Sequence, residues 1–471
     1  MSTSLSAASA SALRKPGLLR ILGIGFGIAV IFGGTVGVGI LRLPGAVAAQ
    51  LGNYWLILLA WVIGGVYALL GSISVTELAA MLPQAGGFYV YARRAFGSFA
   101  GFAAGWGDWL NNCAVLAYAS ITAAEYLGQL WPGAWLQHHQ TAVGLAILAM
   151  FTVLQWMGVR SGSGAQKLTS SLTAAALLAL VFASFLHHGK SPGAVEAATP
   201  IHLPAGFLAG LGILVVALRS VIVTYDGWYE AIYFTEEDVD PARNLPRIMI
   251  GGVTVVIAMY LLINLALLHV LTIPQLAASR LPAADAAHII FGNASGRLIV
   301  ALSLLTLLSL INSVLLGATR IIFAISRDGL FASGVASVSA GGTPRFALLI
   351  TSVAAMLLVA TATFDRIIAI AAIFFVANYA ASYAALLVLR RTAPELPRPF
   401  RAWGYPWTTL LVLAGSLLFL AAAIKSDIRN SVVALCTLAA SVPVHIWVRQ
   451  HVTVQGIGNR GKQNLSQHEH L

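Results

Sequence analysis

Charged side chains inside apolar segments are the residues of this sequence that could do chemistry. The sixth apolar run carries Arg219, Asp226 and Glu230, and the first apolar run carries Arg42. An ionisable side chain at membrane depth is costly, so by default it marks a functional site. A structural role is an equally open alternative, because either arginine can neutralise a carboxylate in an ion pair.

Glycines interrupt the first apolar run. Each glycine costs about 1 kcal/mol of helix propensity relative to alanine. The glycines point all round the helix, which argues against packing on a single face. Non-helical backbone inside hydrocarbon is tolerated only where it is buried in protein or lines a water-filled cavity. We therefore predict a broken helix with a binding site at the break, at Gly33, Gly34, Gly37 and Gly39, shortly before Pro44.

The sixth apolar run has a second interruption, at 224–228, where Thr224, Tyr225, Asp226, Gly227 and Trp228 follow one another. Interrupted segments at corresponding positions of two halves of a chain indicate the substrate site of an inverted-repeat transporter. The two breaks are therefore predicted to meet.

The composition predicts a polytopic membrane protein. The 471 residues are 59% hydrophobic and 9% charged, the mean hydropathy is +0.85, and apolar runs long enough to span a bilayer recur throughout. We predict twelve transmembrane helices, whose boundaries are Ile21–Gln50, Tyr54–Ala80, Phe99–Leu130, Ala142–Met157, Leu168–His187, Phe207–Thr235, Ile248–Leu271, Leu298–Ile325, Ala347–Thr363, Ile367–Leu389, Trp407–Ile424 and Val432–Val448.

The basic residues orient these helices. Most Lys and Arg lie in one set of loops, and the positive-inside rule places that set and both termini in the cytoplasm. This distribution also accounts for the net charge of +11 without a nucleic-acid partner. The opposite set of loops carries only Lys190, Arg280, Arg297, Arg366, Lys425 and Arg429.

Other classes of site find little support. Both cysteines, Cys113 and Cys436, lie in apolar runs, so neither a structural disulfide nor a zinc site is expected. The histidines lie at span ends, in loops or in tails, which disfavours an intramembrane metal-dependent enzyme. No cofactor and no metal are predicted. A channel is also disfavoured, because no ring of selectivity groups is visible.

Several motifs in order resemble the amino acid–polyamine–organocation (APC) superfamily, in particular its L-type amino acid transporter-like bacterial permeases. The matching motifs run from the first helix to the start of the eleventh, and they are Gly37-Val38-Gly39-Ile40 with Pro44, Glu77 with Pro83 and Gly86-Gly87, Tyr225-Asp226-Gly227-Trp228, Arg243-Asn244-Leu245-Pro246-Arg247, Arg327-Asp328-Gly329, and Arg390-Arg391 with Pro397-Arg398-Pro399-Phe400.

The resemblance implies a LeuT-like all-α fold of two inverted five-helix repeats plus two C-terminal helices. The expected divisions are a disordered cytoplasmic tail over 1–20, the first repeat over 21–188, the second over 207–389, two helices over 407–448 and a cytoplasmic tail over 455–471. The implied activity is secondary amino acid transport across the cytoplasmic (inner or plasma) membrane, by exchange or proton symport. The chain is not expected to be an enzyme, and its implied partners are the amino acid and the lipid bilayer.

The resemblance also assigns a headgroup site. The substrate carboxylate is expected to bind the N–H groups of Val38 and Gly39, and its ammonium the carbonyls of Thr35, Val223 and Asp226, with Gly37, Tyr225 and Gly227 shaping the two breaks. A helix N-terminus suits an anion, and broken-helix carbonyls suit a cation.

The chain departs from the family pattern in three places. Val38 replaces a serine, so a hydroxyl donor is lost. Val223 replaces the aromatic outer gate, which leaves Trp228, Tyr225 or Tyr383 as candidate gates. Thr173 stands where relatives carry a lysine, at the position that binds a sodium ion in sodium-driven members. The identity of the coupling ion therefore stays open. Asp226 and Glu230 are candidate proton carriers.

Arg42 and Arg219 are predicted to border the outer vestibule. Unless Asp226 and Glu230 neutralise them, they repel a basic side chain by about 1–4 kcal/mol each. Neutral or acidic amino acids are therefore favoured over basic ones. The alternative substrates are another small amine or a polyamine. Glu77 is expected to pair with Arg93 or Arg94.

Overall fold

A computed structural model of the chain describes residues 17–131, 133–187, 207–292, 295–361, 364–426, 428–439, 441–443 and 446. The predicted tail over 455–471, and 1–16 of the predicted tail over 1–20, lie outside these ranges. Within them the protein is helical and forms no strand, and a single isolated bridge joins Leu22 to Asp238.

Helices follow one another with short connections. In chain order they are α1 (Ile24–Thr35), α2 (Gly39–Leu51), α3 (Tyr54–Met81), α4 (Phe88–Phe96), α5 (Ser98–Leu130), α6 (Ala134–His138), α7 (Gln140–Trp156), α8 (Val159–Leu186), α9 (Phe207–Thr224), α10 (Pro241–Val270), α11 (Ile273–Ala278), α12 (Pro282–Phe291), α13 (Ser295–Arg327), α14 (Arg345–Thr361), α15 (Phe364–Thr392), α16 (Trp407–Ser426) and α17 (Ile428–Ala439), with 3-10 helices at Glu230–Phe234 and Ser333–Ala336.

The chain is a multi-pass membrane protein. Six helices of the described ranges are long and apolar enough to cross a bilayer, and α1 with α2 adds a seventh span bent by 48°. Shorter apolar helices include α7 and α14. Each predicted span overlaps a described helix, and the first overlaps two, α1 and α2. Parts of Ala347–Thr363 and Val432–Val448 lie outside the described residues.

The long helices α5 and α13 pack on each other at the centre of the bundle. Around them, α1 packs against α8, α10 and α13, whereas α2 packs against α9 and α11. The two halves of the broken first span therefore contact largely different neighbours, with α10 touching both.

Ion pairs gather at one end of the bundle, which we call the ion-pair end. Arg320 of α13 donates to Glu237 over 2.7 and 3.0 Å, and both side chains are almost fully buried. Because removing water from two charges is costly, such a pair persists only with well-formed hydrogen bonds. Its bidentate geometry meets that requirement.

Four further ion pairs lie at the ion-pair end. Glu77 pairs with Arg390 at 2.5 Å and with Arg398 at 3.4 Å. These partners differ from the predicted ones, because the end of α15 packs beside α3. Arg93 instead pairs with Asp328. The last pair joins Arg327 to Glu236 at 2.6 Å. Two of the five pairs join α13 to the segment after α9, two join α3 to the end of α15 and the segment that follows it, and one joins α4 to the end of α13.

Candidate functional site

The predicted break in the first span lies between α1 and α2. Helix α1 ends at Thr35, and Val36 leaves the helical region with φ −80° and ψ 88°. Helix α2 begins at Gly39 without a side-chain cap on its first turn. The low helix propensity of the glycines accounts for the interruption, at which the span bends by 48°.

Open N–H groups result from this break. Within the described ranges, the N–H groups of Val38, Gly39 and Ile40 have no backbone acceptor, whereas Leu41 N–H already donates to Val38 O. The first N–H groups of a helix lack partners inside the helix, and the positive end of the helix dipole lies there. The start of α2 can therefore accept an anionic group such as a carboxylate.

A cavity of about 640 Å³ adjoins the break. It extends from the two breaks toward α11, where Arg42 and Arg280 are exposed. It brings together most of the predicted binding residues, which are Thr35, Gly37, Val38, Gly39, Arg42, Val223, Asp226, Gly227 and Glu230.

Other predicted site residues do not line this cavity. Tyr225 points its hydroxyl at Trp61 O, 3.3 Å away. Trp228 packs on Tyr229 and Tyr379. The buried Tyr383 lies so close to Gly71 that a Cβ there would be 2.3 Å from its hydroxyl. In this structure the three candidate gate residues are therefore packing residues.

Only one of the two arginines predicted to border the outer vestibule lines the cavity. Arg42 lines the cavity and is exposed, but Arg219 does not line it. Arg280 takes the second position, which spacing along the sequence did not indicate. Because α11 contacts α2 only in the folded bundle, Arg280 was not identifiable from the sequence.

The glycines of the first break have two different roles. A Cβ on Gly33 would lie 2.1 Å from Gln166 Nε2, and one on Gly34 would lie 2.5 Å from Glu230 Cγ. These two glycines serve close packing. Gly37 lines the cavity, where a Cβ would meet only Leu310, at 3.9 Å.

Tyr260 of α10 joins the two breaks. Its hydroxyl lies 2.8 Å from Thr35 O, at the end of α1, and 2.9 Å from Thr224 O, at the end of α9. Thr35 O also accepts the N–H of Gly37. The predicted ammonium-binding carbonyl of Thr35 is therefore already hydrogen-bonded.

Replacing Tyr260 with phenylalanine is expected to loosen both breaks. A buried hydrogen bond contributes about 1 kcal/mol, so local opening should become about fivefold more frequent. Hydrogen exchange of peptides covering 35–40 and 224–228 measures this change. Tyr67→Phe is the matched control, because it removes a remote hydroxyl that contacts Ser416. Equal exchange of both breaks in Tyr260→Phe and the unaltered protein would contradict the proposed bridge.

Three carboxyl groups lie at or near the base of the cavity: Asp226 and Glu230 line it, and Asp108 of α5 lies near both. Asp108 accepts the Tyr233 hydroxyl at 2.9 Å, and the half-buried Asp226 accepts the Tyr379 hydroxyl. In the described part of the chain, neither Asp226 nor Glu230 forms an ion pair, so the predicted pairs with Arg42 and Arg219 do not form.

Sequence reasoning missed several residues of the site. Asp108, Asn111 and Asn112 lie at membrane depth in α5, and both asparagines line the cavity. Polar residues clustered in an apolar run were an available signal. Phe375 also lines the cavity but had no signal, because an aromatic residue in an apolar helix is ordinary.

The coupling candidate Thr173 is fully buried and lies outside the cavity lining. Its hydroxyl has no hydrogen-bond partner among the described residues. Instead, Ser170 of α8 donates to Ala29 O of α1 at 2.7 Å and contacts Ser309 of α13, with Gln166 beside it. Uncharged side chains therefore hold α1 to α8 and α13. Among the same residues, no His, Cys, Asp or Glu cluster is arranged to hold a metal ion.

Comparison with known proteins points to one family. A family model described as amino acid permease matches residues 27–442. The chain is 26% identical to the serine/threonine exchanger SteT of Bacillus subtilis, over 92% of this chain and 98% of that protein. It is 28% identical to the large neutral amino acids transporter small subunit 2 of Rattus norvegicus, over 91% and 80% of the two chains. It is 29% identical to the Asc-type amino acid transporter 1 of Mus musculus, over 83% and 74%.

Proposed function

This chain belongs to the amino acid permease family, and from that membership we propose that it is a secondary transporter that carries an amino acid across a membrane by alternating access. Members of a permease family are transporters rather than enzymes. The observation that carries the proposal is the meeting of the two helix breaks at one cavity of about 640 Å³. Transporters built from broken helices bind substrate at such a junction.

The substrate carboxylate is proposed to bind at the start of α2. The open N–H groups of Val38, Gly39 and Ile40 line or adjoin the cavity and belong to the positive end of that helix. Val38 offers no side-chain donor, so this contact uses the backbone alone. The carbonyls of Val223 and Asp226 on the α9 side are candidate contacts for the ammonium.

Neutral amino acids are the proposed substrates, with acidic ones next and basic ones disfavoured. Arg42 and Arg280 at the mouth repel a basic side chain. The names of the serine/threonine exchanger and the large neutral amino acids transporter support neutral substrates. Exchange is the proposed mode, and proton symport through Asp226 or Glu230 is the alternative.

The proposed topology has twelve spanning helices, as two inverted five-helix repeats plus two helices, with cytoplasmic termini in the plasma or inner membrane. The basic residues of the ion-pair end support this orientation, since Arg93, Arg327, Arg390 and Arg398 lie outside the predicted spans, on the side predicted to be cytoplasmic. In that orientation the cavity opens outward and the ion-pair end faces the cytoplasm.

Counterflow into proteoliposomes tests the function. Liposomes containing the purified protein and one unlabelled amino acid should accumulate the same labelled amino acid, and liposomes without protein should not. The panel includes serine, leucine, glutamate, lysine and putrescine. Repeating the assay with a sodium gradient, with a pH gradient and without internal substrate separates exchange from symport. A sodium requirement is not expected.

Three results would contradict the proposal. Counterflow of putrescine without that of any amino acid would support the small-amine alternative. A conductance without counterflow would indicate a channel. Preferential uptake of lysine would retain amino acid transport but refute the argument from the mouth arginines.

A further inference from the structure

Polar side chains without partners face the cavity near the two breaks. Among the described residues, Thr35 Oγ1, Asn111 Oδ1 and Glu230 Oε2 accept or donate no hydrogen bond. These side chains are 5%, 3% and 2% exposed, and all three residues line the cavity. A buried polar atom without a partner costs free energy in the empty protein, so a ligand that supplies the partner is favoured.

Glu230 is held in place by two glycines. A Cβ on Gly34 of α1 would lie 2.5 Å from Glu230 Cγ, and one on Gly317 of α13 would lie 3.1 Å from its Oε2. Only residues without a Cβ leave this space. The carboxylate is therefore fixed beside the end of α1, where the first span breaks.

The titratable side chains nearest Glu230 are acidic, and none is a base. They are the carboxyl groups of Asp108 of α5 and Asp226 after α9 and the hydroxyl groups of Tyr229 and Tyr233, and Glu230 forms no ion pair among the described residues. The positive charges of Arg42 and Arg280 lie at the exposed mouth, where water screens them. A buried charge acts through a lower dielectric than an exposed one, so the base of the cavity favours a cation despite the arginines above it.

Backbone acceptors are less available than the sequence suggested. Tyr260 donates its hydroxyl between Thr35 O and Thr224 O, and Thr35 O also accepts Gly37 N–H. The Thr35 carbonyl is therefore already engaged by two donors, whereas the side-chain acceptors Thr35 Oγ1, Asn111 Oδ1 and Glu230 Oε2 at the cavity have no partner among the described residues.

From these observations we infer that the substrate ammonium is bound by the Glu230 carboxylate, with Asn111 Oδ1 and Thr35 Oγ1 as further acceptors. The ligand class of this subsite is a primary ammonium. The inference rests on the proposed function and adds to it a charged side chain in place of a headgroup site made of backbone alone. It requires that a 2-hydroxy acid, which keeps the carboxylate but lacks the ammonium, binds poorly.

Matched substrate pairs test this subsite. Binding of alanine, serine and leucine, and of lactate, glycerate and 2-hydroxyisocaproate, is measured by calorimetry on the full chain in detergent. The unaltered protein should prefer an amino acid to its hydroxy acid by at least about 100-fold, because the hydroxy acid leaves the buried carboxylate without a partner. Glu230→Gln should lower amino acid affinity about 100-fold and leave that of the hydroxy acid unchanged.

Two further variants keep the test independent of folding. Asn111→Ala should lower amino acid affinity about tenfold, since it removes one hydrogen bond to a charged group. Glu395→Gln changes an exposed carboxylate remote from the cavity and should have no effect. Each variant must elute as a single species and melt near the unaltered protein.

The outcomes are distinct. If Glu230→Gln keeps its amino acid affinity and loses only pH-driven accumulation, Glu230 is a proton carrier and the inference is overturned. If the hydroxy acids bind as well as the amino acids, the ammonium subsite is also refuted, while amino acid transport stands. If the unaltered protein binds no amino acid, the proposed function itself fails.

Discussion

Transport is expected to be abolished when Gly227 is replaced with alanine. Gly227 has φ +101°, and a Cβ there would lie 2.4 Å from Gly34 O, 2.7 Å from Gly34 C and 2.9 Å from Thr35 N. All three atoms are backbone, so no side chain can move aside. The methyl group would push the end of α1 away from the segment after α9 and open the junction of the two breaks.

Two costs combine at this position. An L-residue in this region of φ costs about 1–3 kcal/mol, and overpacking costs about 1–3 kcal/mol more. Because the proposed substrate site lies at the same junction, we expect counterflow at the level of protein-free liposomes together with a lower melting temperature.

Two other glycines separate these costs. Gly329 also has a positive φ, +75°, but no atom lies within 4 Å of its Cβ position, so Gly329→Ala carries only the backbone strain. Gly251 lies inside α10 with open space around it and an ordinary φ, so Gly251→Ala should keep or slightly raise stability. Both control variants should transport. Full counterflow by Gly227→Ala would show that the two breaks need not touch.

Loss of one partner of the Arg320–Glu237 pair is the second large effect. Both side chains are almost fully buried, and the guanidinium also donates to Leu316 O and lies over the Phe234 ring. Arg320→Met would leave the Glu237 carboxylate buried without a cation. Breaking a buried pair in this way costs about 3–5 kcal/mol.

The double variant Arg320→Met with Glu237→Leu distinguishes pairing from packing. Replacing both charges with apolar groups removes the uncompensated carboxylate, so the melting temperature in detergent should recover much of its loss. Arg327→Met is the matched control, because its pair with Glu236 is partly exposed and contributes about 0–1 kcal/mol. If Arg320→Met lowers the melting temperature no more than Arg327→Met does, then water reaches the Arg320–Glu237 pair.

Loss of the Arg320–Glu237 pair also bears on the proposed alternating access. A transporter of that kind must open each end in turn, and a buried pair at the ion-pair end opposes opening there. In the proposed orientation that end is cytoplasmic, so we expect any residual transport of the double variant to be less limited by its opening. The ratio of exchange to net efflux measures this change.

The sequence by itself determined the breaks, the helical class and the family resemblance. A glycine-rich stretch weakens its own helix wherever it lies, and an Asp beside Gly227 in an apolar run is costly without any neighbour. These properties are local, so they predict the breaks but not their meeting, which was expected from the inverted-repeat pattern and the family resemblance. Gly37, Val38, Gly39 and Asp226 of the predicted site, and the coupling candidate Glu230, all line the cavity.

Only the tertiary structure decided the partners. Glu77 pairs with Arg390 rather than Arg93, and Tyr260 reaches both breaks from a helix that the motifs did not single out. Arg280, instead of Arg219, joins Arg42 at the cavity. Which neighbour a long side chain meets depends on how helices distant in the chain pack, and periodicity within one helix carries no information about that packing.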